Sequence, residues 1–415
     1  MSHISPSESI GLPKLPVLGW EAYLGPRGVD VPGVMNASYK RYTISGRAAI
    51  SLALQVLGAK PGGTVLLPTY HCTTMVTPVV HAELQPMFYP LTVDGSPNLS
   101  WLQQADLSGV VAIIAAHYFG LPQPMSKVRA FCDDRGIALI EDCAHCFFGY
   151  SDGKPVGSWG DVAIASLTKF FPVPEGGLIV SHTRPLDGIS LDSSNLRNEL
   201  KAALDAIEMG ARHERFPGLN GLLEGVFGLK GKLRGRPQST ADLQGQTDDT
   251  NAVNASRLLS TKRPAYAVRW IVETVHQERI VSLRRRNYME LVRQLAGLSG
   301  TRILRAELSS DAVPYVFPLY VDDYRTTYHS MRASGIPIFC WDELWCDTPS
   351  IEGDSGRDWA THVFQLGCHQ DLSLNDITEI ARIVRDVVKT ASTRRSTLRD
   401  NEGTVDITIE TSLYR

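Results

Sequence analysis

The pattern of apolar and polar positions divides the first half of the chain into helix-period and short apolar segments. In "SGRAAISLALQVLGAKPGG", Ser45 is a capping hydroxyl, Ile50, Leu54 and Leu57 fall on one helical face, and Gly58 stops the run, which predicts a helix. The runs "TVLLP", "LQPMFYPL" and "VVAIIAAHYFG" are short, rich in β-branched or aromatic residues and bounded by turn residues, which predicts strands. "PMSKVRAFCDDRG" predicts a helix with Val128 and Phe131 on one face, leading to "IALIED", a strand that ends in two carboxylates, and "VAIAS" and "LIVS" complete the set. This alternation from about residue 40 to 182 predicts an α/β fold with a mostly parallel central sheet and flanking helices.

Beyond residue 182 the pattern is looser. "LRNELKAALDAIEMG" is helical, and "KGKLRGRPQSTADLQGQTDDTN" is Gly-rich and polar, as a mobile loop would be. A long basic, helix-compatible stretch runs from Ala252 to Leu295 and ends in "SLRRRNYMELVRQL". "VPYVFPLYVDD" and "GIPIFCW" read as strands of a smaller α+β domain, "LNDITEIARIVRDVVKT" as its last helix, and the polar stretch past Ala391 as a poorly ordered tail. The expected organisation is an N-terminal arm (1–39), a large domain (40–260), a small C-terminal domain (261–390) and a polar tail (391–415).

Composition narrows the partners. A formal net charge of −3, from 41 basic and 44 acidic residues, gives no electrostatic footprint for nucleic acid or an anionic membrane. The opening lacks a basic start followed by an apolar core, and no run of about 18 apolar residues occurs, so neither a signal peptide nor a membrane span is readable. A soluble cytoplasmic protein is expected. The seven cysteines are scattered and odd in number, which argues for reduced thiols. "CAHC", Cys143 to Cys146, has CxxC spacing but no second such pair to complete a zinc site, so no metal is expected.

Three features fall where an α/β sheet presents ligands. Ser45-Gly46-Arg47 opens a helix whose free N–H groups and dipole favour an anion such as phosphate. Asp142 ends its strand in "LIEDCAH", with His145 three residues on, and wants a cationic partner such as a protonated ring nitrogen. Lys169, in "SLTKFFPVPEGG", has its stem among apolar residues, where desolvation would leave a nucleophilic amine able to form a Schiff base with an aldehyde. Taken alone each has an ordinary reading: a helix cap, a salt bridge, a lysine reaching solvent. Together, in that order, they are what pyridoxal 5'-phosphate needs.

The segment "LIEDCAHCFFGYSDGKPVGSWGDVAIASLTKFFPVPEGGLIVS" resembles the DegT/DnrJ/EryC1/StrS sugar aminotransferase family, whose pattern is E-D-x-A-H/Q, G-D, S, T-K and E-G-G. The helix at Ser45, "LLPTYHCTTMV" and "AAHYFGLP" are similar to further family segments, and "RRRNY" and "LGCHQDLSLNDITEI" match in kind. The resemblance implies the aspartate-aminotransferase-like fold (fold type I) and a pyridoxal 5'-phosphate-dependent aminotransferase acting as a homodimer. It makes Lys169 the cofactor-binding lysine and proton shuttle, and Asp142 the partner of the ring nitrogen. It puts His145 against the cofactor, Ser45, Gly46, Arg47 and Ser166 on the phosphate, and the stacking role within Tyr70, His71 and Cys72. Asn251, Asn254 and Arg257 become candidates for a partner chain's phosphate contacts. The implied donor is glutamate or glutamine, and the implied acceptor a keto or aldehyde group of a nucleotide sugar or secondary-metabolite intermediate. Other outcomes on the same fold are dehydration, elimination or carbon–carbon bond formation, and a non-catalytic regulator is a further alternative. Known dehydratase variants carry histidine at the lysine position, and Lys169 is present here. Three departures mark the chain: Arg47 stands where Thr is usual, Cys72 where an aromatic is common, and the S-L-T-K spacing is two residues short. "CWDELWCD", Cys340 to Asp347, reads either as pocket lining or as a packed surface loop.

Overall fold

The computed structural model describes residues 11–25, 31–223, 225–227 and 262–402. The expected loop at 230–251 and the candidates Asn251, Asn254 and Arg257 lie outside them.

The first apolar runs become one seven-stranded sheet: β1 (Tyr39–Thr43), β2 (Thr64–Pro68), β3 (Gln85–Tyr89), β4 (Val110–Ala116), β5 (Ala138–Asp142), β8 (Val162–Ser166) and β9 (Gly177–Ser181). A two-residue pair, β6 (Tyr150–Ser151) and β7 (Lys154–Pro155), stands apart from it. The order is β1-β9-β8-β5-β4-β2-β3, and within it β9 alone runs against its neighbours. Val65, Leu66 and Leu67 of β2, Ile113 and Ile114 of β4 and Leu139 and Ile140 of β5 are fully buried, as strands covered on both faces must be. Helix α1 (Gly46–Val56) packs on β8 and β9 and is capped as expected, the Ser45 hydroxyl accepting the Ala48 N–H at 3.1 Å. Also in this part of the chain are α2 (Thr73–His81), α3 (Leu99–Gln104), α4 (Ser126–Arg135) and α5 (Leu196–Arg212).

Within the described part of the stretch read as helix-compatible from Ala252 to Leu295, there are two helices, α6 (Tyr266–Thr274) and α7 (Gln277–Leu295). The break falls at Val275, whose backbone is extended, and the next N–H, of His276, donates to the Ala22 carbonyl at 2.9 Å. A second, wholly antiparallel sheet has the order β10 (Thr301–Ile303), β11 (Val316–Val321), β13 (Val363–Gly367), β12 (Ile338–Phe339). With α7, α8 (Tyr324–Ala333) and α10 (Leu374–Glu402), it encloses a separate core around Tyr288, Leu291, Phe317, Leu366, Ile380 and Val384. The remaining helix, α9 (Ser355–His362), precedes β13. The polar stretch past Ala391, expected to be poorly ordered, instead continues α10 to Glu402. Its composition, without Gly or Pro between Ala391 and Glu402, allows the helix to run on.

Candidate active site

The sequence-predicted site residues between Ser45 and Lys169 lie at one edge of the seven-stranded sheet. Strands β1, β2, β5 and β8 all end there, and the reversed β9 begins there. Strand β5 delivers Asp142, β8 delivers Ser166 and then a 3-10 turn, Leu167–Lys169, and β2 leads to Tyr70, His71 and Cys72.

The start of α1 is pressed against the ends of β8 and β9. A Cβ on Gly46 would sit 3.5 Å from the Ser166 Cβ, and one on Gly177 would sit 2.3 Å from the Ser45 carbonyl carbon and oxygen. Ser45, Gly46 and Ser166 are therefore brought together, with the first N–H groups of α1 beside them. The Arg47 guanidinium is half-buried; desolvation lowers its pKa, and the Cys72 sulfur opposes that shift.

Asp142 is buried and accepts the Ala144 N–H at 2.7 Å. Burial pushes its carboxyl up, against the Ala144 hydrogen bond and the positive fields of Lys169 and His117. The Lys169 amine lies 5.4 Å from the centre of the Tyr315 ring. Desolvation lowers its pKa, while Asp142 and Cys72 pull the other way. His145 is buried between Tyr315 and Trp341, with ring centres at 4.6 and 4.7 Å, and its Nδ1 has no hydrogen-bond partner among the described residues. Burial, then the field of Lys169, holds it well below the ordinary histidine range, so it is neutral.

The three consecutive residues after β2 separate. The Tyr70 ring is buried 4.9 Å from Trp341, and its hydroxyl accepts from Gln365 Nε2 at 3.1 Å. His71 donates from Nδ1 to the Pro68 carbonyl at 2.9 Å and accepts the Trp345 N–H at Nε2 at 3.1 Å, so both nitrogens are engaged. Its pKa is pushed down to about 4 by burial. Tyr70 and His71 thus hold the Cys340–Asp347 loop, and Cys72 is the member whose field reaches Lys169 and Arg47. The loop packs Trp341 against Tyr70 and His145, while its Asp342, Glu343, Cys346 and Asp347 are exposed.

Below Asp142, Glu141 is a brace. Its Oε1 accepts from His117 Nε2 at 2.9 Å and Gly157 N at 2.7 Å, and its Oε2 from Trp159 N at 2.7 Å and Gly160 N at 3.1 Å. The Cys143 sulfur lies with His117 and Glu141 in a tight group, but the carboxylate's oxygens already serve four N–H donors. Burial pushes the Cys143 and Cys146 thiols well up.

Sequence reasoning did not select Tyr315, Arg284 or Gln370. The Arg284 Nη2 donates to the Lys169 carbonyl at 2.7 Å, and Gln370 Nε2 to the Phe170 carbonyl at 2.9 Å. The only sequence hint was the "RRRNY" and "GCHQD" likeness.

A desolvated lysine, a buried carboxylate and a helix start at one edge of a mostly parallel sheet define the class: an α/β protein of the aspartate-aminotransferase-like fold. Residues 36–190 match the model of the DegT/DnrJ/EryC1/StrS aminotransferase family, so over this span the resemblance read from the sequence holds. Among curated proteins, the chain is 29% identical over 171 residues to a UDP-N-acetyl-3-dehydro-alpha-D-glucosamine 3-aminotransferase of Acidithiobacillus ferrooxidans, covering 38% of this chain and 44% of that one. It is 30% identical over 142 residues to a GDP-perosamine synthase of Vibrio cholerae, covering 34% and 39%. The chain spans less than half the length of these relatives. A solved aminotransferase from Psychrobacter cryohalolentis matches over 86% of this chain and 88% of its own, with a TM-score of 0.60 at 15% identity, a likeness of fold.

Proposed function

We propose that the chain is a pyridoxal 5'-phosphate-dependent aminotransferase that moves an amino group from glutamate or glutamine to a keto or aldehyde group of a nucleotide sugar or secondary-metabolite intermediate. The observation that carries the reading is the desolvated Lys169 amine, set within the field of the buried Asp142 carboxylate at the strand ends.

The residues fit the cofactor. His145 Nδ1 is a buried polar atom without a partner among the described residues, and a Cβ on Gly46 would meet the Ser166 Cβ at 3.5 Å, which brings the Ser166 side chain beside the first turn of α1. Asp142 would hold the ring nitrogen, Ser45, Gly46, Arg47 and Ser166 the phosphate, Cys72 and His145 the ring, and Lys169 the aldehyde. When bound, the cofactor supplies an electron sink for the bonds at the substrate's amino-bearing carbon. Asp142 keeps a proton on the ring nitrogen, since a carboxylate in a desolvated site acts strongly on a cation beside it. Lys169, with its pKa lowered by burial, can take a proton at Nζ from the substrate carbon and return it. The aromatic surfaces of Trp341, Tyr70 and Tyr315 exclude water from that exchange.

The reading includes a homodimer. Leu196 (75% exposed), Leu200 and Leu204 form an apolar stripe at four-residue spacing on α5, beside Tyr266 (70% exposed) and Trp270 on α6. It also includes a reducing, cytoplasmic setting, supported by seven free thiols. Among the described residues no helix is long and apolar enough to cross a membrane.

The test is spectroscopic. Protein purified with pyridoxal 5'-phosphate should be yellow, lose its colour on borohydride reduction with a mass adduct on the Lys169 peptide, and lose its yellow form on addition of glutamate or glutamine. An adduct that persists in Lys169→Ala refutes the assignment.

A further inference from the structure

Arg284 is a fully buried arginine, 0% exposed, on α7. Its Nε donates to Gln370 Oε1 at 2.8 Å, its Nη1 to the carbonyls of Pro314 at 3.0 Å and Tyr315 at 3.1 Å, and its Nη2 to the carbonyl of Lys169 at 2.7 Å. The guanidinium also lies 4.5 Å over the Phe170 ring. Among the described residues no carboxylate is hydrogen-bonded to it. Burial pushes its pKa down to about 10, which leaves it charged at neutral pH.

Burying an ion carries a penalty of several kcal/mol, and an apolar side chain of similar volume often serves stability as well or better. Stability is thus a poor reason for an arginine here, and the identity of its acceptors supplies another. Two of them are backbone oxygens of Lys169 and Tyr315, the residue that bears the amine and the residue whose ring covers it. Gln370 completes the clamp: its Oε1 takes the Arg284 Nε–H while its Nε2 donates to the carbonyl of Phe170, the next residue after Lys169. Neighbouring Arg285 reaches the carbonyls of Ser309, Ser310 and Ala312, and Arg286 the side chain of Asn287, so within the arginine run only Arg284 holds the lysine turn.

We infer that Arg284, locked to Gln370, is a positioning residue that fixes the Lys169 turn and the Tyr315 ring together, and so sets the depth at which the lysine amine is held. The forked geometry is what does this: one planar group spans four acceptors, which a lysine ammonium at the same place cannot do. The Lys169 amine lies over the Tyr315 ring, before β11, and within the fields of Asp142 from the end of β5 and Cys72 from the turn after β2, and its own field reaches His145 in the turn after β5; Arg284 acts from behind, through the backbone.

The inference rests on the proposed role of Lys169, and its test does not require that role. Full-length protein, treated with hydroxylamine and dialysed to free any bound amine, is labelled with trace acetic anhydride across a pH series, and the Lys169 peptide is read by mass spectrometry. Arg284→Met should loosen the turn, let water reach the amine and raise its titration midpoint toward that of an ordinary lysine, by about one pH unit. Arg284→Lys should behave like Arg284→Met, because charge without the fork does not hold the turn. Gln370→Met, a milder change that keeps the arginine, should move the midpoint the same way by less, and it decides the matter if the Arg284 variants do not fold. A midpoint that stays at the wild-type value in folded variants, with only the melting temperature lowered, overturns the inference, as does full recovery in Arg284→Lys. If wild-type protein shows no borohydride adduct, the aminotransferase reading fails while the labelling still reports on the clamp.

Discussion

The tightest backbone approach at the site gives the sharpest prediction. Gly177 opens β9, paired with Thr43 of β1 on one side and Ser166 of β8 on the other, so it cannot slide along the sheet. A Cβ there would stand 2.3 Å from the Ser45 carbonyl carbon and oxygen and 2.6 Å from the Gly46 nitrogen. Carbon atoms in contact prefer about 3.5–4.0 Å, so Gly177→Ala requires α1 and β9 to part by about 1 Å. The opposing atoms are peptide atoms of a capped helix start, and no rotamer change can relieve them. Overpacking of this kind costs typically about 1–3 kcal/mol, and backbone against backbone belongs at the upper end, about 3 kcal/mol. The same displacement moves the Gly46 N–H away from Ser166. A misplacement of about 1 Å is enough to lower turnover about 100-fold. The assay is a pair of measurements on Gly177→Ala: thermal melting of the cofactor-free protein, and pyridoxal 5'-phosphate affinity by absorbance titration. Lower melting temperature together with weaker binding is expected. Unchanged values for both would show that the helix start and strand do not meet as described.

Asp142→Asn keeps an acceptor for the Ala144 N–H and removes the charge, so cofactor should still bind while turnover falls by about 10²–10⁴-fold, as read by steady-state kinetics with a saturating amine donor. Glu141→Gln leaves some of four buried N–H groups facing an amide NH2, and should cost about 3 kcal/mol in urea denaturation. Hydrogen bonding to His117 and to backbone N–H groups outweighs desolvation and holds the Glu141 carboxyl below its ordinary 4.5. Its contribution is therefore complete above pH 4.5 and is lost as pH falls through the lower folded value. The wild type should show this acid slope and Glu141→Gln should lack it. Leu200→Lys with Leu204→Lys should move the protein to a monomer in light scattering; an unchanged mass would place any dimer contact elsewhere.

Much of the sheet and of the site was legible because the signals are local. Asp142, Ser166 and Lys169 each follow or end an apolar run, Ser45 opens a helical one, and parallel strands bring their ends to one edge whatever lies between them. Strand β1 was missed because Lys40 and Arg41 interrupt its apolar pattern; Arg41 pairs with Asp187, and the Lys40 amine donates to the Met35 carbonyl, which keeps both charges off the core. Helix α2 was not selected because Pro78 lies inside it and its β-branched residues are weak helix formers; packing of Met75, Val76 and Val79 overrides that preference. Strand β13 carries Gln365 within its apolar run, and the reason is distant in sequence, the Tyr70 hydroxyl it serves. Tyr315 and Arg284 were unreadable on the same ground, since each meets the lysine turn across more than a hundred residues.

The reversed β9 has a consequence for how this protein could be altered. Because it runs backward between β8 and β1, it starts at the very rim where β8 ends at Ser166, so the peptide bearing Lys169 is a short bight moored at both ends in the sheet's interior. The arm bearing Trp341 comes from the other sheet and is tethered to the rim by His71, Tyr70 and ring contacts. Under the proposed function, exchanging that arm while the mooring is left untouched is the route to a change of acceptor.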